Sequence, residues 1–125
     1  MKLQDFDFRI WNTACKKYID DVGLISNIMC DLIHSATDII EDFEIELWTG
    51  IYDKNGKKIY EGDIVKTKSL YDCFLAKISI HKEGTFYFEG KNGDYIGSLI
   101  YLVEDEGYTI ETIGNIHENP ELLKC

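Results

Sequence analysis

The chain has 125 residues, 45% hydrophobic and 13% aromatic, with 23 acidic against 13 basic side chains and a formal net charge of −10. A chain of this size hides roughly two thirds of its unfolded surface on folding; aromatic and β-branched residues along its whole length argue against disorder, and its length fits one domain, or one small domain with an N-terminal appendage. With Arg9 its only arginine, it is also a poor duplex binder, because phosphate neutralisation drives that affinity and the arginine fork reads guanine.

The opening Met1-Lys2-Leu3-Gln4-Asp5-Phe6-Asp7 carries charges where a signal peptide needs an apolar stretch. No apolar run reaches membrane-spanning length. The cysteines Cys15, Cys30, Cys73 and Cys125 form no C-x-x-C pair, and no histidine clusters with them, so neither a zinc site nor a redox motif is expected. The expectation is a cytoplasmic protein with reduced thiols and no cofactor or metal.

Phe6, Phe8 and Ile10 alternate with Asp7 and Arg9, the period-2 pattern of a half-buried strand, with Trp11 on the opposite face closing over an edge. Asn12-Thr13 and Lys16-Lys17 bracket a turn, and Tyr18-Ile19 is a short strand. Val22, Ile25, Met29, Leu32, Ala36 and Ile39 recur at helical steps. They predict a short helix within 24–40, with Asp20 or Asp21 capping its start. From Phe43 the period returns to two: Phe43, Ile45 and Leu47 face inward, Glu44 and Glu46 form an acidic outer face, and Gly50 breaks the strand.

Asp53-Lys54-Asn55-Gly56 is a hairpin signal, with Asn55 and Gly56 suited to positive φ at both centres of a type I′ turn. Lys58-Ile59-Tyr60 is the short return segment. Glu61-Gly62-Asp63 forms a second turn, and a strand starts at Ile64. Cys73 to Ile80 is a strand with Phe74, Ala76, Ile78 and Ile80 on one face, turning at Lys82-Glu83-Gly84 into Thr85–Glu89. Asn92-Gly93 sends the chain back through Tyr95 to Leu102. Glu104 to Gly107 is a loop, and Tyr108 to Ile113 is a further strand. Pro120 suits the first turn of a short terminal helix capped by Asn119. Short strands with tight turns from about residue 58 onward are the pattern of a small barrel or sandwich.

The residues suited to catalysis are few. Glu61 and Asp63 flank Gly62, with Asp53 and Glu118 elsewhere. Paired carboxylates could serve acid–base chemistry, but an aspartate after a turn glycine more often accepts backbone N–H bonds. His34, His81 and His117 stand at no metal-binding spacing, and no serine sits in a nucleophile motif. No catalytic residue is assigned. Phe86 and Phe88 read as core, leaving Tyr87 on the other face, where surface aromatics anchor partners. Charge is segregated: Asp38, Glu41, Asp42, Glu44 and Glu46 form one acidic run, Glu104, Asp105 and Glu106 another, and Lys54, Lys57, Lys58, Lys66 and Lys68 lie between them.

Three stretches carry a family resemblance. They are Phe8-Arg9-Ile10-Trp11-Asn12; Trp48-Thr49-Gly50-Ile51-Tyr52-Asp53-Lys54-Asn55-Gly56-Lys57-Lys58-Ile59-Tyr60-Glu61-Gly62-Asp63-Ile64-Val65; and Ile113-Gly114-Asn115-Ile116-His117-Glu118-Asn119-Pro120-Glu121-Leu122-Leu123. In order and spacing they resemble the F-R-x-W-D opening, T-G-L-x-D-x-N-G-x-x-I-Y-E-G-D-I-V centre and I-G-N-I-x-E-N-P-E-L close of the YopX family of phage and prophage proteins. Asn12 and Ile51 are mild departures. The resemblance implies a mainly β protein: an N-terminal segment, 1–49, largely of strands, and an SH3-like barrel over 50–125. It also implies the cytoplasm of a phage-infected or lysogenic Gram-positive host, and no established activity.

Within that pattern the expected roles are structural. Arg9 belongs to the opening motif. Trp11 and Trp48 close one end of a core, Gly50, Asn55 and Gly56 shape turns, Gly62 and Asp63 start the barrel, Gly114 and Asn115 return the last strand, and Pro120 ends it. The leading expectation is a non-enzymatic module that binds a protein partner or its own copies, with Lys54, Lys57, Lys58 and Tyr87 as candidate surface residues. The alternatives are an acidic DNA mimic or modulator of a nucleic-acid process, and a hydrolase using Asp53, Glu61, Asp63 or His117.

Overall fold

A computed structural model describes residues 2, 5–33 and 42–123. The protein is mainly β, and its contacts divide it into two compact units, Met1–Leu47 and Trp48–Cys125.

In the first unit, β1 (Phe8–Asn12) pairs antiparallel with β2 (Lys17–Tyr18) and with the first half of β3 (Phe43–Tyr52). The β1–β2 turn is held by Asn12, whose Oδ1 accepts the N–H groups of Ala14 and Cys15 at 2.9 and 3.0 Å. The helix α1 spans Val22–Ile33, where the family resemblance implies strands. Asp21 caps it, accepting the N–H groups of Gly23 and Leu24 at 2.9 and 3.3 Å. Its buried face centres on Ile28, with Ile25 and Met29 half-buried; Val22, expected on that face, is exposed beside the cap. Residues 34–40 of the expected helix, with His34, Asp38 and Glu41, lie outside the described residues, as does Cys125.

Two residues of β3 depart from the expected faces, while Glu44 is exposed and Phe43 and Leu47 are half-buried. Glu46 is buried (4% exposed) while Ile45 is 44% exposed. The cause is register: Glu46 lies directly opposite Arg9, and its Oε1 accepts from Arg9 Nε at 2.7 Å and from the Tyr18 hydroxyl at 2.9 Å. Arg9 also stacks 4.7 Å over the Tyr18 ring, which meets Trp11 edge-on at 4.9 Å. A satisfied ion pair enclosed by aromatic rings can occupy a position that alternation alone assigns to solvent.

In the second unit, the remainder of β3 pairs with β4 (Lys58–Tyr60). Gly50 does not end the strand. It adopts φ 86° inside a bulge, between the paired residues Trp48 and Tyr52, and Thr49 Oγ1 donates to the Ile59 carbonyl at 2.8 Å. The other strands are β5 (Asp63–Lys68), β6 (Cys73–Ile80), β7 (Phe86–Glu89), β8 (Tyr95–Ser98) and β9 (Thr109–Asn115). They form an antiparallel sheet in the order β8-β7-β6-β5-β9. Two bulges, one in β5–β9 and one in β7–β8, accompany its curl into a half-barrel. One face buries Ile59, Val65, Ala76, Ile78, Phe88, Leu99 and Ile110, with Phe74 and Phe86 packed against them.

The strand expected from Tyr95 to Leu102 stops at Ser98, and a π-helical turn follows at Tyr101–Asp105. Leu99, Leu102 and Val103 reach the core at helical, not strand, spacing. Leu102 packs so closely over Gly97 that a Cβ there would lie 2.9 Å from its Cδ1. A 3-10 helix, Pro120–Leu123, begins at the only proline. β9 has already ended at Asn115, so Pro120 does not terminate it. The Asn119 side chain turns back to accept the Asn115 N–H at 3.3 Å, while its carbonyl accepts from Leu122.

Candidate functional site

The central motif builds its hairpin from a turn that recurs twice more. At 53–57, 81–85 and 90–94 the first residue's carbonyl accepts the glycine N–H at 3.0, 2.9 and 3.1 Å, and its own N–H donates to the fifth residue's carbonyl at 2.7, 2.9 and 2.8 Å. Gly56, Gly84 and Gly93 are left-handed at φ 81, 88 and 80°. This is a type I turn closed by a glycine bulge, not the expected type I′. Among the described non-glycine residues only Lys16 has positive φ. Asn55 does not need it, because its N–H donates to Asp53 Oδ1 at 2.9 Å.

The same aspartate anchors the hairpin. Asp53 Oδ1 also accepts from Lys57 N–H at 2.9 Å and Oδ2 from Thr112 N–H on β9 at 3.1 Å; the Lys54 N–H donates to the Ile110 carbonyl. Burial alone would raise the Asp53 pKa, but the N–H groups of Lys57, Thr112 and Asn55 outweigh it and hold the carboxyl below its ordinary 3.8. Asp63, 1% exposed, accepts the Tyr60 N–H on Oδ2 at 2.8 Å.

The second and third sequence motifs meet in space. Asp63 is paired with Asn115 and Ile64 with Gly114 across β5–β9. Gly62, at φ 88°, donates its N–H to Ile78 and accepts from Ile116. Asn115 folds the segment after β9: its Oδ1 accepts the N–H groups of His117 and Glu118 at 3.0 and 2.9 Å, and its Nδ2 donates to Glu118 Oε1 at 2.7 Å. A Cβ on Gly114 would lie 2.6 Å from Asn119 Oδ1, so this approach requires glycine. Arg9 and Trp11 belong to the first unit and Trp48 to the second. Trp48 Nε1 donates to the Ile51 carbonyl, and its ring meets that of Tyr52 edge-on. Among the described residues, no three His, Cys, Asp or Glu side chains gather to hold a metal ion.

The four proposed surface residues have different surroundings. Lys54 Nζ lies 3.3 Å from Glu111 Oε2, Lys57 is exposed, and Lys58 Nζ stands 4.5 Å over the Trp48 ring. Tyr87 stacks on His81 at 4.0 Å and 16°, with Tyr95 at 5.5 Å. Its hydroxyl donates to Glu89 at 3.1 Å, and Glu89 pairs with Lys77 at 2.6 Å. Burial and then Glu89 raise the Tyr87 pKa. For Glu89 burial acts upward, but Lys77 outweighs it and the pKa is lowered.

On the face of the sheet opposite the core, Leu75, Lys66 and Glu111 form a row across β6, β5 and β9. They floor an open groove of about 870 Å³, completed by Ile113, Ile96 and the β7–β8 turn with Lys91. Lys66 and Glu111 are shared with a smaller hollow of about 80 Å³ lined by Lys54, Lys68 and Thr109. The period-2 spacing of Lys66 and Lys68 was the available signal for this surface; Lys91, Ile96 and Ile113 carry none, because strand pairing alone brings them there.

These features define a mainly β, two-unit protein in which the motif aspartates Asp53 and Asp63 bind backbone N–H groups. The chain belongs to the YopX family: the family model described as YopX protein matches residues 7–124. Among solved structures it is similar to protein EF1440 from Enterococcus faecalis, at 24% identity over 95% of this chain and 98% of that one, with a TM-score of 0.56, a likeness of fold alone. A search of curated proteins gives no match.

Proposed function

We propose that this protein is a phage or prophage accessory protein of the host cytoplasm. In this reading it is a non-enzymatic binding module whose second unit is an SH3-like barrel, and a protein segment seats in the Leu75–Ile96–Ile113 groove. The observation that carries the reading is the contrast between carboxylates and groove. Asp53 and Asp63 are buried and accept backbone N–H groups, a fixing role rather than a proton-transfer one. The groove sets the apolar Leu75, Ile96 and Ile113 beside the charged Lys66, Lys91 and Glu111, the composition of a recognition site. The docking of Asp53 and Lys54 onto the edge of β9 supports the barrel assignment, since it extends the curled sheet towards closure.

Lysine-directed cross-linking in host cells, followed by mass spectrometry, tests it. The expected result is links to another polypeptide concentrated at Lys54, Lys66, Lys68 and Lys91 and sparse at Lys16, Lys17 and Lys82. Links spread evenly over the lysines, or a hydrolytic activity abolished by Glu61→Gln or His117→Ala, would sink it.

A further inference from the structure

We infer that the occupant of the groove is a second copy of this chain, which inserts its acidic π-helical turn. The inference rests on the binding-module reading above and names its partner. The groove and the adjoining hollow are lined by Lys54, Lys66, Lys68 and Lys91 against only Glu111 and Asp94. That is a locally positive surface on a chain whose formal charge is −10, so it stands out against the rest of the molecule.

The π-helical turn has the opposite character. Leu102 and Val103 hold it to the core, while Ile100 and Tyr101 are each 51% exposed and Glu104, Asp105 and Glu106 face solvent. Tyr101 is fixed in place, its hydroxyl donating to Glu106 Oε1 at 2.8 Å and its carbonyl accepting the Glu106 N–H at 3.1 Å. Ile100 and Tyr101, with the carboxylates of Glu104, Asp105 and Glu106 beyond them, match in polarity and charge a groove that sets Leu75, Ile96 and Ile113 beside lysines. Single π turns are also rare and often mark functional positions.

Groove and turn lie on opposite faces of the sheet: Lys66, Leu75 and Glu111 alternate with the core residues Val65, Ala76 and Ile110, on whose side the turn packs. A contact between two different patches is heterologous, so copies add head to tail into rings or open chains rather than closing as a two-fold dimer. Leu70 and Tyr71, at the β5–β6 tip, are still more exposed at 93% and 96%. That tip is flanked by Lys68 and Asp72 and offers no net charge to match the lysines.

Sedimentation velocity on the full chain over a concentration series tests the inference. The wild type is expected to associate beyond a dimer as concentration rises, and to dissociate at about 1 M salt, where screening acts within about 3 Å. Lys66→Glu/Lys68→Glu and, separately, Glu104→Lys/Glu106→Lys should each weaken association about a hundredfold, with unchanged circular dichroism. Mixing these two variants should restore association beyond a dimer, because the acidic turn and groove of one then meet the basic groove and turn of the other. Combining both reversals in one chain should restore association.

A strictly monomeric wild type would overturn the inference, as would association that survives each reversal made separately or is lost only in Leu70→Ser/Tyr71→Ser. If the wild type is monomeric but cross-links from cells still map to Lys66, Lys68 and Lys91 with a different protein, the second-copy occupant fails and the binding-module reading stands. If both experiments are negative, both fall.

Discussion

The two units of this chain hold their strands together by different means. Among the described residues of the first unit, the buried side chains are Ile10, Trp11 and Ile28 together with the carboxylate of Glu46. Its centre is the Arg9–Glu46–Tyr18 cluster, which uses the chain's only arginine. The second unit buries a contiguous set of aliphatic side chains around Phe88 and uses its buried aspartates to fix turns. Where the described residues bury few apolar side chains, a few well-satisfied polar contacts hold the strands, each costly to break. A unit with a continuous core spreads its stability over many contacts, and polar groups there determine geometry.

The largest effect should come from the core. Phe88→Ala is expected to lower stability by about 4 kcal/mol in denaturant unfolding, since it empties the centre of the second unit. Next, Glu46→Ala should cost about 3 kcal/mol by removing the buried carboxylate that accepts from both Arg9 and Tyr18, with amide exchange rising first in β1 and the first half of β3. The double replacement Arg9→Met/Glu46→Leu should recover most of that loss, because two apolar side chains remove both charges from the interior. If the double variant is no better than the single one, the first unit does not rest on this ion pair as argued.

Asp53→Asn should cost about 2 kcal/mol at neutral pH, the worth of hydrogen bonds to a charged acceptor. Its pH dependence sharpens the comparison. The folded-state pKa of Asp53 is held below 3.8, so its contribution is fully present above that value and is lost as pH falls through the folded pKa. Unfolding followed from pH 7 downward should therefore show wild type and variant converging below about pH 3.8. A constant gap would mean that shape, not charge, secures the turn. The smallest effect is Gly56→Ala, about 1 kcal/mol for forcing a side chain into the left-handed region, measured as a modest fall in melting temperature.

Much of the second unit is legible from residues alone. Cys73 to Ile80 is the observed β6, and Phe88 is core as its alternation implies. The turn positions are marked by Gly56, Gly62, Gly84 and Gly93, and each adopts positive φ. The type of the 53–56 turn was not legible: the Asp53 side chain holds the turn through the Asn55 and Lys57 N–H groups and, on β9, that of Thr112, far along the chain. Nor could period 2 place Glu46 inside, because alternation does not say which charged residue meets a partner across the sheet. The helical turn after Ser98 was missed for a related reason: Leu99, Leu102 and Val103 join a core formed by strands distant in sequence.

By itself, then, the sequence determined the family, the mainly β character and the places where the backbone must turn, because these rest on local periodicity and on glycine's access to positive φ. Only the tertiary structure decided that Glu46 is buried, that Asp63 meets Asn115, and that Lys54, Lys66, Lys68 and Lys91 line one surface. Each of these depends on strand register, and register brings together residues whose separation along the chain carries no record of the encounter.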